Sequence, residues 1–155
     1  MAEIKQIFEK EKYMDLILEA DPDKEIVEKY IKDAEMYGLF ENKKILAEII
    51  ITKVDNNICE LKNIATKEDA RGNGYGKKLI QEVTKLYKNK YKKMIVGTTQ
   101  NNIPFYVKCG FVWVSNGRLA WRKVYLWISI YNCGLHWKLK SFCCFDCWWW
   151  IHYYS

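Results

Sequence analysis

The chain has 155 residues, half of them hydrophobic and 28% charged, with a formal net charge of +6 at neutral pH. That length holds one ordinary domain and is too short for two. Plentiful Leu, Ile, Val and Phe exclude a disordered chain, and eight glycines and two prolines exclude collagen-like or low-complexity sequence.

Glu9–Leu18 reads as a helix, with Tyr13, Leu16 and Ile17 at helical spacing. Asp21-Pro22-Asp23 is a helix start, with Asp21 as N-cap and Pro22 at the first helical position. That helix is predicted to run to about Asp33 and to bury Ile26, Val27, Tyr30 and Ile31. Met36–Phe40 and the β-branched run Ile45–Val54 form a hairpin across the polar turn Glu41-Asn42-Lys43-Lys44. Asp55-Asn56-Asn57 turns the chain into a third strand, Ile58–Thr66. Simple alternation sets Ile58, Glu60, Lys62 and Ile64 on one face of it, and Cys59, Leu61, Asn63 and Ala65 on the other.

Lys67–Gly76 is polar and glycine-rich, and Lys77–Lys90 is a strongly amphipathic helix with Leu79, Ile80, Val83, Leu86 and Tyr87 on one stripe. Met94–Thr98 is a short buried strand, Asn101–Lys108 a loop and short helix, and Phe111–Ser115 another strand. Hairpins followed by a βαβ unit give an α/β (α+β) fold: a mixed, mostly antiparallel central sheet flanked by helices.

Composition breaks after Gly117. Residues 118–155 hold 12 of the 24 aromatics, six of the seven tryptophans and four of the six cysteines, but only one of the 19 acidic residues. They carry +4 of the net charge, so the basic character belongs mainly to this tail and argues against a nucleic-acid partner for the body. The expected division is 1–117 as the domain and 118–155 as an atypical Trp/Cys-rich tail. The tail is either a divergent closing hairpin, with Val124–Tyr131 as a strand, or an out-of-frame C-terminus. Its exposed apolar surface would favour self-association into a homodimer. Cys133-x2-His136 and Cys144-x2-Cys147 have metal-ligand types, but the short separation of the pairs argues against zinc, and no metal is expected. Met1–Gln6 lacks the apolar region of a signal peptide, and Val124–Trp137 is too short for a membrane span, so a cytoplasmic protein with no membrane partner is the expectation. Cys59 and Cys109 are then reduced packing residues.

The chemistry lies in Ile64–Lys78: a strand, a glycine-rich turn and a helix start. Glycines permit positive φ, and the amides at the following helix N-terminus then converge on one anion, with Arg71, Lys77 and Lys78 adding positive charge. A Walker loop does not fit, because Gly72 and Gly76 are one residue too close and Lys78 replaces Ser or Thr. A dinucleotide fingerprint fails on the spacing of Gly72, Gly74 and Gly76. The pattern [QR]-x-x-G-x-[GA] is met in full by Arg71, Gly74 and Gly76.

That pattern, with Phe105-Tyr106-Val107-Lys108-Cys109-Gly110-Phe111 further on, resembles the GNAT-type N-acetyltransferases over roughly Met1–Ser115. The resemblance implies an acyl-CoA N-acyltransferase-like fold and acetyl-coenzyme A as co-substrate. It assigns the pyrophosphate to the Arg71, Gly72, Asn73, Gly74, Tyr75 and Gly76 turn, with Lys77 screening charge. Ile64, Ala65 and Thr66 would offer main-chain groups to the pantetheine arm, and a backbone N–H near Ile64 or Ala65 would face the oxyanion. This requires the strand to part from Met94–Thr98. Asn101 or Asn102 would contact the pantetheine or cap the short helix. Tyr106 becomes the general acid for the leaving thiolate. Glu60, four residues before Ile64 and taken to share its facing, becomes the base for the acceptor amine, with Glu48 on the adjacent strand as the weaker candidate. The implied activity is acetyl transfer by direct attack of a primary amine on a small molecule or peptide. Its rival is a non-catalytic coenzyme A-binding or interaction module with an incomplete acceptor site.

Overall fold

The structure is a computed structural model that describes residues 2–115 and 118–122. The readings of Val124–Tyr131, of the Cys/His spacings and of the rest of the tail lie outside those residues.

The chain opens with strand β1 (Glu3–Ile7), a 3-10 turn at Lys10–Tyr13, and helices α1 (Met14–Leu18) and α2 (Lys24–Ile31). Strands β2 (Glu35–Glu41), β3 (Lys44–Lys53) and β4 (Ile58–Thr66) follow as an antiparallel meander. Helix α3 (Tyr75–Tyr87), strand β5 (Lys93–Gly97), helix α4 (Ile103–Lys108), and strands β6 (Val112–Ser115) and β7 (Arg118–Arg122) complete the described part. The strand order is β1-β2-β3-β4-β5-β7-β6. The β4/β5 pair is parallel and the other described pairs are antiparallel, which is the expected mixed, mostly antiparallel sheet.

Several boundaries differ from expectation. β1 is an additional strand: it pairs only with β2, and most of it faces solvent, so its sequence shows no strong alternation. The first helix is split into a 3-10 turn and one short α-helical segment. The N-cap of α2 is Asp23, whose side chain accepts from the Ile26 amide at 3.1 Å; Asp21 instead accepts from the Tyr30 hydroxyl at 3.3 Å. Pro22 thus stands before the cap rather than after it. Ile26 is exposed, so the buried stripe of α2 is Val27 and Ile31. Arg118–Arg122, grouped with the tail on composition, slots between β5 and β6. The β2–β3 turn falls where expected, with positive φ at Asn42 and Lys43, the twist that a tight hairpin needs.

Two apolar clusters sandwich the sheet. On one face Leu79, Ile80 and Val83 of α3 and Tyr106 of α4 pack against Leu39, Ala47, Ile49, Ile51 and Leu61. On the other, Leu16, Ile17, Val27 and Ile31 of α1 and α2 pack against Met36, Ile45, Ile50 and Ala65. Lys10 ties the second layer down: its ammonium donates to the Ile31, Lys32 and Ala34 carbonyls at 2.6, 3.2 and 2.6 Å. These are carbonyls at the negative end of α2. Lys10→Met is therefore expected to lower unfolding stability by about 1–3 kcal/mol in urea titration. An unchanged midpoint would show that water replaces the ammonium without cost.

Candidate active site

β4 carries the feature that shapes the site. Its register against β3 runs Ile50↔Asn63 and then Ile51↔Leu61, so Lys62 is an extra residue in a β-bulge. Past the bulge, alternation changes phase. Cys59, Leu61 and Ile64 belong to the α3 side, whereas Asn63 and Ala65 turn toward α1 and α2. Glu60, paired with Thr52, falls on the same side as Asn63. This corrects the expected shared facing of Glu60 and Ile64: the two lie on opposite faces of the sheet. Glu60 is partly buried and paired with Lys62 at 3.6 Å.

The second feature is a parting of strands. β4 pairs with β5 only from Ile58 to Leu61, yet it remains paired with β3 as far as Thr66. Lys62–Thr66 therefore present an edge free of β5. The gap leads to the glycine turn, where Gly72 and Gly74 have φ of +81° and +78°. Gly74 is the N-cap of α3 and offers no side-chain cap, and the first turn of that helix holds no acidic residue. The first intrahelical bond here runs from the Lys78 amide to the Gly74 carbonyl at 2.9 Å. The amides before it are left to an external acceptor, at the positive end of the helix dipole.

A cavity of about 410 Å³ sits at this turn. It is lined by Ile64, Thr66, Ala70, Arg71, Gly72, Gly74, Tyr75, Gly76, Lys77, Phe105 and Lys108. Eight of these were expected from sequence. Gly76 lies close under the strand: a Cβ there would stand 3.1 Å from Thr66 Oγ1. Asn73 supports the turn instead of lining it, its amide donating to the Ala70 and Arg71 carbonyls at 3.2 and 3.4 Å. Arg71 donates Nε to the Thr66 carbonyl at 3.0 Å and Nη2 to Glu19 at 2.7 Å, so it braces the turn against both β4 and the end of α1. Ala65 faces the opposite cluster, and Asn101 lies on an exposed 3-10 turn; neither lines the cavity. Phe105, Lys108 and Ala70 were missed. Phe105 and Lys108 were legible in the Phe105–Phe111 segment, where Tyr106 was read as the general acid and Cys109 as a packing residue.

Tyr106 points inward from α4. Its ring meets Phe105 edge-on at 5.1 Å and Phe111 at 5.8 Å, and burial, with the neighbouring Cys109, pushes its phenol up to about 12. Cys109 is a free, buried thiol, also pushed up by burial. On the α1/α2 face, Glu48 is fully buried in the middle of β3. Among the described residues no helix is long and apolar enough to cross a membrane.

A mixed sheet whose parallel pair parts over a glycine turn and helix N-terminus is the acyl-CoA N-acyltransferase fold. The model of the acetyltransferase (GNAT) family matches residues 1–111, and the chain belongs to that family. It is similar to an uncharacterised N-acetyltransferase, YvbK, of Bacillus subtilis strain 168, with 33% identity over 101 residues. That match spans 63% of this chain and 65% of the relative, just under two thirds of its length. A GNAT family acetyltransferase from Elizabethkingia anophelis, solved with acetyl-CoA bound, superposes with a TM-score of 0.71 at 27% identity, covering 79% of this chain and 98% of that one. A Bacillus subtilis acetyltransferase in complex with CoA gives 0.70 at 25% identity, covering 80% and 100%.

Proposed function

We propose that the chain transfers an acetyl group from acetyl-coenzyme A to a primary amine of a small molecule or peptide by direct attack. The observation that carries this reading is the cavity at the glycine turn, continuous in sequence with the unpaired edge of β4. Open amides at the start of α3, with Arg71, Lys77 and Lys108 beside them, suit a pyrophosphate. The Lys62–Thr66 edge suits an amide-bearing arm that binds as an added strand. Both relatives named with a bound coenzyme support the same ligand.

The coenzyme supplies an activated thioester; the chain's own residues manage the protons. Glu60 takes the proton from the acceptor amine as its nitrogen bonds to the acyl carbon. Tyr106 gives a proton to the thiolate as the carbon–sulfur bond breaks, and its raised pKa keeps it protonated for that task. Glu60 is on the α1/α2 face, so the acceptor approaches from that side. Acetyl-coenzyme A is expected to raise the melting temperature, and an amine panel to release free thiol. Tyr106→Phe is expected to lower kcat by about 100-fold with the acetyl-coenzyme A KM little changed. A melting shift without thiol release under any amine would replace this reading with a non-catalytic coenzyme-binding module, and no shift would remove both.

A further inference from the structure

Three buried side-chain oxygens on the described chain have no hydrogen-bond partner: both carboxylate oxygens of Glu48 and Oδ1 of Asn63. Asn63 Oδ1 is an acceptor, and so are both Glu48 oxygens once the carboxyl is ionised, so in that state what all three lack is a donor. Glu48 lies between Ala47 and Ile49 of the α3 side, and strand alternation turns it with Ile50 toward α1 and α2. Asn63 is the cross-strand partner of Ile50, and Ala65 that of Glu48, which makes Glu48 and Asn63 diagonal neighbours on one face. The orientation of Asn63 is fixed, because its Nδ2 donates to the Ile17 carbonyl and to the Tyr30 hydroxyl, each at 3.1 Å. Tyr30 in turn donates to Asp21. The Ala65 amide acts on the Glu48 carboxylate but does not complete a hydrogen bond to it.

Acidic side chains outnumber basic ones around this cluster. Glu48, Glu60 and Asp21 are carboxylates, and the cation beside them, Lys62, is committed to Glu60 and to the face of the Tyr30 ring at 5.8 Å. A buried acceptor without a donor calls for one, and a bound cation is one source of it. The cluster lies across the sheet from the coenzyme cavity, on the same face as Glu60: Ala65, opposite Glu48, alternates with Ile64 and Thr66, which line that cavity from the other side.

We propose that Glu48, with Asn63, forms an ammonium subsite of the acceptor pocket, so that the acceptor is a dication: one amine for acetylation and a second, protonated amine held by Glu48. This rests on the transfer reading above and specifies its acceptor. The second ammonium donates to the Glu48 carboxylate and to Asn63 Oδ1, satisfying both.

The test is calorimetric binding of α,ω-diamines, and of alkyl monoamines of matching length, to the full chain saturated with coenzyme A, which needs no turnover. The best diamine is expected to bind at least ~10-fold more tightly than its monoamine, the value of a charged hydrogen bond. Glu48→Gln, equal in shape but uncharged, is expected to bind the two alike. Equal binding by the wild type overturns the proposal, and so does a preference that survives in the folded Gln variant. Glu48→Met, which removes the carboxylate and its unpaired oxygens, is the second variant should the Gln variant fail to fold, and it too is expected to bind diamine and monoamine alike. Diamine binding through Glu48 without thiol release from acetyl-coenzyme A would refute transfer and keep the subsite. Equal turnover of monoamines and diamines would do the reverse.

Discussion

Gly74→Val is expected to weaken acetyl-coenzyme A binding by about 100-fold, read by calorimetry, while moving the unfolding midpoint much less. Gly74 has φ of +78° and caps α3, and a Cβ built on it meets nothing within 4 Å. The penalty is thus conformational, not a clash. A β-branched residue held in the left-handed region costs on the order of 1–2 kcal/mol, and the loop escapes it by rotating its peptides. That rotation turns away the amides aimed at the pyrophosphate, where hydrogen bonds to a charged group are worth about 1.5–3 kcal/mol each. Gly38→Ala is the control of opposite sign. There a Cβ would stand 2.7 Å from the Phe40 ring and 2.8 Å from Ile7, so it should cost stability and leave coenzyme affinity unchanged. If Gly74→Val bound the coenzyme as the wild type does, the turn would not be the cradle.

The contrast between these two glycines also marks what sequence could reveal. Arg71, Gly74 and Gly76 stood out because a positive-φ turn at a helix start restricts residue choice, and the restriction survives in the bare sequence. The Phe105–Phe111 segment was legible for the same reason. Other features depend on partners far along the chain. The Lys62 bulge leaves only a faint mark, the consecutive polar pair Lys62-Asn63, and such a pair equally suits a regular strand with one solvated face, so the reversal of facing was not read from it. The parting of β4 from β5 follows from pairing that ends at Leu61, a fact about β5 as much as β4. Asp21 and Asp23 are equally good caps in isolation, and the Tyr30 hydroxyl and Ile26 amide decide between them. Glu48 reads as an ordinary solvent-facing carboxylate within Ile45–Val54, because its burial is imposed by α1 and α2 packing over that face.

Glu48 also yields the strongest expected effect on stability. Burial pushes its carboxyl from an ordinary value near 4.5 up to about 8. A carboxyl whose folded value is raised holds its proton longer in the folded state than in the unfolded one. Its favourable contribution is complete below about pH 4.5, shrinks as pH rises, and is gone above about pH 8. The wild type is therefore expected to lose on the order of 3–5 kcal/mol across that window through this group alone, seen as a falling urea midpoint. Glu48→Met keeps the unbranched shape and removes the proton and the orphaned oxygens, so its midpoint should change far less with pH and exceed the wild type at about pH 9. A wild-type midpoint that is level across the window would mean that water or an opened helix layer already solvates the carboxylate. The same substitution ties stability to recognition. If Glu48 were only a poorly packed core residue, Glu48→Met would stabilise the fold and leave amine binding alone. If it is the ammonium subsite, the more stable protein should no longer distinguish a diamine from a monoamine, because the cost of a buried, unpaired carboxylate is what the second ammonium offsets when it binds.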